Sequence, residues 1–195
     1  MKPELPSAVG EPAWEVATLF PSQGEWKETD FFRIHTNHMA ELVNGKFEIL
    51  PMPTWLHQLM VVYFLDQLRG YLKKEELGGI VLIAPLPVRL FPGTIREPDV
   101  LYVLPEHIPL DPRGYPECVD FVVEIVSEGA ESHQRDYHDK RSDYAKGGVS
   151  EYWIVDPETE TISVLKLENK AYAEKVFRVG QIATSEFLTK FSVDV

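Results

Sequence analysis

The run FVVEIVSE at residues 121–128 has the composition of a buried β-strand but carries a carboxylate in its centre. Phe, Val and Ile favour a strand packed in the interior, and Glu124 has two apolar neighbours on either side. Burying an unpaired carboxylate costs several kcal/mol or forces the group to take up a proton. The sequence therefore predicts that Glu124 is paired, binds a metal ion, or lies on the exposed face of an edge strand.

The patterns around this strand predict a mixed α/β fold. Asn44 and Gly45 join the strands of a hairpin, and Thr54 precedes a long helix that Gly78 and Gly79 end. Five residues of that helix, spaced four apart, predict its buried side: Leu56, Met60, Phe64, Leu68 and Leu72. Other strand and helix patterns are IVLIAPLPVRLF, EPDVLYVL, RDYHDKRSDYAKGG, EYWIVDP, TISVLKLE and AYAEKVFRV. We expect an α/β fold with a central mixed β-sheet flanked by helices and additional antiparallel hairpins.

The length and composition of the chain limit its class. Its 195 residues, 44% of them hydrophobic, predict an irregular N-terminal tail over 1–28 and a single folded domain over 29–195. No apolar run approaches the roughly 20 residues of a membrane-spanning helix, and the first residues lack the apolar core of a signal peptide. The lone cysteine, Cys118, excludes an internal disulfide and predicts no cysteine-based metal cluster. We therefore expect a cytoplasmic protein with no membrane partner.

The charge of the chain argues against one class of nucleic-acid protein. There are 19 Lys and Arg residues against 31 Asp and Glu residues, which gives a formal net charge of -12. Sequence-independent coating of nucleic acid depends on basic residues that neutralise phosphates. A nucleic-acid activity in this chain would need a local basic patch or metal ions in an acidic site.

A second carboxylate accompanies Glu124. Asp99 follows Pro98 and heads the apolar strand DVLYV, so pairing of the two strands would bring both carboxylates to one end of the sheet. Two neighbouring carboxylates repel, so one protonates or a cation lies between them. Carboxylate ligands of this kind suit Mg²⁺ or Mn²⁺.

Lys140 is the predicted third member of the site. Tyr137, Lys140 and Tyr144 share one face of a helix, so the lysine stem is expected to lie among aromatic rings. Asp136 precedes Lys140 by four residues and is placed to hold its ammonium group. A metal with an adjacent ammonium group is able to activate water at a phosphodiester.

Several separated motifs, in this order, resemble the Uma-two family of restriction endonucleases within the PD-(D/E)XK nuclease superfamily. They are ELVNGKFEILPMPTWLHQ, REPDVLYV, FVVEIVSE and RDYHDKRSDYAKGGVSEYWIVDPE, spanning about residues 41–157. One departure from the superfamily pattern is that Val126 stands where the lysine is normally found, two residues after the acid. The family supplies this lysine from the following helix, at the position of Lys140.

The resemblance implies a metal-dependent DNA endonuclease with a restriction-endonuclease-like core. It implies Asp99 and Glu124 as ligands of Mg²⁺ or Mn²⁺, with the Ile125 carbonyl as a third ligand. Lys140 would position or polarise the attacking water. Glu41 and His57 match family positions near the site. We expect Glu41 to be one of the catalytic residues.

Structural explanations compete at each of these positions. Asp99 could cap its strand, and Glu124 could form a buried ion pair with Arg89 or Arg96. Lysines on helices are most often solvated, and His57 is more simply explained as a first-turn helix residue. The competing hypothesis for the whole chain is a non-catalytic, dimeric binding or regulatory protein that retains the nuclease fold. A homodimer is expected under either hypothesis if the C-terminal hairpin leaves an open sheet edge.

Overall fold

The computed structural model describes residues 20–34 and 38–195, so most of the predicted N-terminal tail, residues 1–19, lies outside the described ranges. In chain order the elements are α1 (Glu28–Phe31), β1 (Ala40–Val43), β2 (Lys46–Ile49), α2 (Trp55–Lys74), β3 (Ile80–Ile83), β4 (Val88–Phe91), β5 (Thr94–Arg96), β6 (Val100–Val103), a 3₁₀ turn (Pro105–His107), β7 (Phe121–Ile125), α3 (Ala130–Gln134), a π-helical turn (Arg135–Asp139), α4 (Lys140–Gly147), β8 (Glu151–Asp156), β9 (Thr161–Glu168), β10 (Ala171–Arg178), β11 (Ile182–Thr184) and β12 (Ser192–Asp194).

A six-stranded sheet of order β10-β9-β8-β7-β6-β3 forms the centre of the molecule. Strands β7 and β8 are parallel, and the other neighbours are antiparallel. The predicted mixed sheet is therefore confirmed. β10 lies at one edge of this sheet, as expected for the C-terminal hairpin.

Two apolar layers cover the faces of this sheet. Helix α2 packs on one face through Val61, Phe64 and Leu68, together with Trp153 of β8. Helix α4 lies on the other face, where Tyr144 packs among residues of β6, β7 and β8. Because side chains alternate along a strand, Glu124 belongs to the α4 face with Val122 and Val126.

The long helix begins as predicted, and three of its five predicted core residues, Phe64, Leu68 and Leu72, are buried. The Thr54 hydroxyl accepts a hydrogen bond from the backbone N–H of His57, which caps the first turn. Leu56, however, is 51% exposed, and Val61 takes its place in the core. Residues four apart advance by more than one turn and drift roughly 40° around the helix at each step, so a strict four-residue pattern leaves the core face.

The run IVLIAPLPVRLF, interpreted as one edge or bulged strand, is divided between two sheets. β3 joins the central sheet, whereas β4 joins a four-stranded sheet of order β2-β1-β5-β4. Pro85 and Pro87 lie between the two strands, where neither can donate a backbone hydrogen bond. The small sheet carries Glu41 on β1 and Arg96 on β5.

No helix within residues 20–34 and 38–195 combines the length and the apolarity needed to cross a membrane.

Candidate functional site

Asp99 and Glu124 lie on adjacent antiparallel strands. β6 and β7 pair with Val100 opposite Val123, so continuing this register by one residue sets Asp99 opposite Glu124. Side chains at opposite positions of an antiparallel pair lie about 5 Å apart at their Cβ atoms. Both residues are buried, with exposed fractions of 6% and 2%. The pairing of β6 with β7 therefore brings the two carboxylates together at one end of the sheet, as predicted.

One oxygen of Asp99 is held by two donors. The backbone N–H of Ile125 donates to Asp99 Oδ2 at 2.8 Å, and His57 Nε2 lies 3.1 Å from the same oxygen. His57 Nδ1 is buried and has no hydrogen-bond partner among the described residues. A tautomer with the proton on Nε2 satisfies this arrangement, since it donates to Asp99 and leaves no buried N–H unpaired.

Glu124 contacts residues of the α4 helix. Lys140 Nζ lies 2.8 Å from Glu124 Oε1, and the Tyr144 hydroxyl donates a short hydrogen bond to the same oxygen. The alternative ion pairs with Arg89 or Arg96 are wrong. Arg89 instead binds Glu28 and Glu117, whereas Arg96 binds Glu41 and Asp143.

The site holds more carboxyl groups than cations. Burial raises the pKa of Glu124 to about 8; the Lys140 ammonium opposes the shift, and the negative charges of Asp99 and Asp136 add to it. The surrounding negative charge therefore favours binding of a proton or a cation at this carboxyl group. A divalent cation beside Asp99 and Glu124 would relieve the repulsion between the two carboxylates.

Lys140 is buried, and three carboxyl groups surround its ammonium group. Its Nζ lies 3.5 Å from Glu41 Oε1 and 3.6 Å from Asp136 Oδ1, in addition to its contact with Glu124. Burial alone would lower the pKa of Lys140, but Glu124, Glu41 and Asp136 outweigh that effect and raise it above its ordinary value. Lys140 is thus a permanent cation at neutral pH, and the predicted role of Asp136 in holding it is borne out by this geometry.

Both predicted aromatic neighbours of Lys140 pack against the same apolar cluster between helix α4 and the sheet. Tyr144 is fully buried there and contacts Glu124. Tyr137 is partly buried; its hydroxyl donates a hydrogen bond to Asp156 at 3.1 Å, and its ring stacks with that of His133. The packing therefore agrees with the prediction that both aromatic residues lie on the sheet-facing side of the helix, although only Tyr144 contacts the site.

Glu41 is held inside the small sheet rather than at the cleft. Its Oε2 accepts from Arg96 at 2.6 Å, and its Oε1 accepts from the backbone N–H of Glu97 at 3.1 Å. Burial opposes its ionisation, but Lys140 and Arg96 outweigh burial and lower the pKa of Glu41 to about 2. This geometry favours a positioning role, in which Glu41 fixes the location of Lys140.

Glu41→Gln is expected to lower the free energy of unfolding by roughly 3–5 kcal/mol at pH 7, because it leaves Arg96 and Lys140 short of a buried partner. The difference should narrow as the pH falls from 4.5 towards 2, where Glu41 of the wild type also takes up a proton. Urea denaturation at several pH values measures both effects. Glu48→Gln, the cross-strand neighbour on β2, is the control and should leave stability unchanged. Equal stability of Glu41→Gln and wild type at pH 7 would contradict the assignment.

A narrow cleft of about 30 Å³ is lined by His57, Asp99, Glu124, Asp136 and Lys140, among other residues. That is the volume of about one water molecule in the liquid, so the cleft accommodates an ion but not a nucleotide. Its lining consists of Met39, Leu50, Pro51, Pro53, His57, Glu97, Asp99, Glu124, Ile125, Ser127, Arg135, Asp136 and Lys140. Asp99 and Glu124 are the residues placed to hold a metal here.

Two larger cavities differ in charge. One of about 1200 Å³ adjoins the cleft at Arg135 and is lined by the acidic residues Glu48, Glu128, Glu131 and Asp139. The other, of about 700 Å³, lies between helix α4 and the β9–β10 hairpin and is lined by cations but by no carboxylate, with Arg141, Lys146 and Lys170 at its surface. Arg135 thus lies at the acidic cavity, whereas Arg141 and Lys146 lie at the other one.

His57 and Tyr144 are the contacts that sequence reasoning missed. His57 was interpreted as an ordinary first-turn residue, and Tyr144 only as an aromatic neighbour of Lys140. The hydroxyl of Tyr144 and the ring of His57 reach Glu124 and Asp99 across 20 and 42 residues of chain. For His57, the match to a family position near the site was the one signal in the sequence. The sequence held no signal for the contact between Tyr144 and Glu124.

The family profile described as "Uma2: Putative restriction endonuclease" matches residues 27–195. The chain belongs to the Uma2 family. This match confirms the resemblance found in the motifs and extends it over the C-terminal strands. No curated protein sequence matches the chain.

A solved structure shares the fold of this Uma2 protein. It is the crystal structure of a protein described as a putative nuclease belonging to DUF820, from Anabaena variabilis ATCC 29413. The two chains are 17% identical, with a TM-score of 0.70 over 86% of this chain and 94% of the other. The predicted nuclease-like α/β fold is therefore confirmed.

Proposed function

We propose that this Uma2 protein is a divalent-metal-dependent endonuclease of the PD-(D/E)XK type that hydrolyses phosphodiester bonds in DNA. The observation that carries the proposal is the convergence of Asp99, Glu124 and Lys140 on one buried cleft. Two acids and a lysine at a strand end are the residues that such a reaction needs. Membership of a family described as restriction endonucleases supports the same reaction class.

The donor set of the cleft fits Mg²⁺ or Mn²⁺. These ions bind through one or two carboxylates and keep several waters, and the cleft offers the carboxylates of Asp99 and Glu124 at its wall. Asp99 Oδ2 and Glu124 Oε1 are engaged by protein donors, so the second oxygen of each carboxylate is the proposed ligand. The Ile125 carbonyl is the proposed third ligand. A bound ion would polarise the phosphoryl oxygen and lower the pKa of its water.

Lys140 acts in this proposal as a fixed positive charge. Because three carboxylates keep its ammonium protonated, it cannot accept a proton from the attacking water. It is instead placed to orient that water by hydrogen bonding and to stabilise the negative charge that develops on the phosphoryl group. Glu41 and Asp136 hold Lys140 at the position where it contacts Glu124.

His57 is proposed as a positioning residue for Asp99. Its Nε2–H and the Ile125 N–H together fix Asp99 Oδ2, which directs the other carboxylate oxygen to the metal. His57→Leu is expected to weaken Mn²⁺ binding and lower the cleavage rate at limiting metal by roughly 10–100-fold. His57→Gln retains a donor near the Nε2 position and should lose much less.

The rate at saturating Mn²⁺ separates this role from a merely structural one. Excess metal should restore most of the activity of His57→Leu, since the defect lies in metal affinity. A rate loss in His57→Leu that Mn²⁺ does not rescue, with the fold intact by circular dichroism, would refute the positioning role.

The proposed assembly is a homodimer. Close to the cleft, the first turns of α2 and the preceding segment expose large apolar side chains: Met52 at 80%, Trp55 at 81%, Leu59 at 51% and Val62 at 50%. Trp55 and its aliphatic neighbours thus expose an apolar patch of the kind that marks protein–protein contacts. A second copy would cover this patch, and the open edge of β10 is the other surface available for it.

The competing function is a non-catalytic, dimeric binding or regulatory protein with the same fold. The acidic lining beside the cleft favours it, because Glu48, Glu128, Glu131 and Asp139 repel a phosphate backbone. The retained acid, acid and lysine set favours catalysis. Mn²⁺ calorimetry followed by cleavage of plasmid DNA with Mg²⁺ or Mn²⁺ decides between the two functions. Metal binding with cleavage supports the endonuclease, and failure of both supports the competing function.

A further inference from the structure

A second cluster of potential metal ligands lies at the opposite end of β7 from Glu124. His107 Nδ1, the sulfur of Cys118 and a carboxylate oxygen of Asp120 all lie within 4.8 Å of one another. Asp120 immediately precedes β7, so roughly 13 Å of strand separate it from Glu124 at 3.3 Å per residue. This cluster is therefore distinct from the cleft proposed for Mg²⁺.

Two of these groups converge on a single nitrogen. Asp120 Oδ1 lies 2.8 Å and Cys118 Sγ lies 3.5 Å from His107 Nδ1. Because Nδ1 carries at most one hydrogen, it cannot satisfy both neighbours equally well. A cation bound between the three groups would accept a lone pair from each of them in place of these hydrogen bonds.

The distances fit a tetrahedral ion. Zinc lies 2.0–2.2 Å from nitrogen or oxygen and 2.3 Å from sulfur, so neighbouring ligand atoms are about 3.3–3.7 Å apart. The separation of Cys118 Sγ and His107 Nδ1 already lies in this range. The contact between Asp120 and His107 must open by about half an ångström, and the side chain of His107, 40% exposed, has room to move.

Asp120 is held in place for this role. Its Oδ2 accepts a hydrogen bond from the backbone N–H of Leu104 at 2.8 Å, which leaves Oδ1 directed at His107. Its own N–H donates to Tyr102, and its carbonyl accepts from Ser150, so the backbone is fixed to both neighbouring strands. A hydrogen bond to the second oxygen of a ligating carboxylate is typical of metal sites.

We propose that His107, Cys118 and Asp120 form a binding site for Zn²⁺ or Co²⁺, completed by water at the fourth position. Thiolate and imidazole ligands select these ions over Mg²⁺, which prefers oxygen ligands. Two of the ligands, His107 and Cys118, lie at the two ends of the exposed loop between residues 107 and 118. The bound ion closes that loop against the start of β7, independently of the proposed nuclease reaction. The lone cysteine predicted no cysteine-based metal cluster; the proposed site is a mixed one, because tertiary contacts bring a histidine and an aspartate to Cys118.

Co²⁺ binding to the full, reduced, metal-stripped chain tests the site. Cys118 is the only cysteine of the 195 residues, so a thiolate-to-cobalt charge-transfer band reports on this position alone. We expect the band to saturate at one Co²⁺ per chain, to be removed by Zn²⁺, and to persist in a large excess of Mg²⁺. Asp99→Asn should leave it unchanged, which separates this test from that of the nuclease proposal.

Substitutions within the cluster complete the test. Cys118→Ser should abolish the band, and His107→Gln should weaken Co²⁺ binding at least about tenfold, with both variants folded by circular dichroism. No thiolate band in the folded wild type would overturn the proposal. A band that His107→Gln leaves unchanged, or one that saturates at a single Co²⁺ per two chains, would overturn it as well, since the ion would then be held by cysteine alone or between molecules.

Discussion

Asp99→Asn and Glu124→Gln are each expected to abolish Mn²⁺ binding and to lower DNA cleavage by roughly 10²–10³-fold or more. Each substitution removes a proposed ligand oxygen while preserving the shape of the side chain. Glu124→Gln also removes the carboxylate nearest to Lys140, at 2.8 Å, so a loss in the free energy of unfolding is expected as well. Calorimetry, plasmid cleavage and urea denaturation of the same preparations measure the three quantities.

The matched control for this pair is Glu128→Gln, which removes an exposed carboxylate from the acidic cavity beside the cleft. Metal binding and cleavage by this variant should equal those of the wild type. If Asp99→Asn and Glu124→Gln bind Mn²⁺ as tightly as the wild type, the two carboxylates are structural. The non-catalytic function then becomes the better explanation.

Lys140→Met is expected to lower cleavage by roughly 10²–10³-fold while metal binding is retained or becomes tighter. The ammonium lies 2.8 Å from Glu124, so it opposes a cation at the site although it assists the reaction. Removal of Lys140 also leaves Glu41, Glu124 and Asp136 without a shared partner. We therefore expect a loss of roughly 3–5 kcal/mol in the free energy of unfolding.

Lys140→Arg keeps the charge and serves as the second variant if Lys140→Met does not fold. Its displaced guanidinium should preserve stability better than it preserves the cleavage rate. Lys146→Met, on the same helix, removes an exposed lysine that lies over the ring of Phe91, and should change neither property. Wild-type cleavage rates in a folded Lys140→Met protein would exclude Lys140 from the reaction.

The secondary structure was predictable where local patterns are strong. The Asn44-Gly45 turn forms the β1–β2 hairpin, and Thr54 caps α2 as predicted. Local patterns gave wrong predictions where the position of a strand or helix depends on the element that it packs against. The run IVLIAPLPVRLF contributes to two sheets, and Leu56 is exposed, because strand pairing and helix rotation depend on contacts distant in sequence.

By itself, the sequence determined that a buried Glu124 needs a partner, and that Asp99 and Glu124 meet at one end of the sheet if their strands pair. Both conclusions follow from the alternation of side chains along a strand and from the cost of burying a carboxylate. Only the tertiary structure decided the partners: Lys140 and Tyr144 for Glu124, and His57 for Asp99. These contacts join residues 16 to 42 positions apart, and periodicity carries no information at such separations. The convergence of Cys118 and Asp120 on His107 likewise depends on how a loop returns to the sheet, which no local pattern specifies.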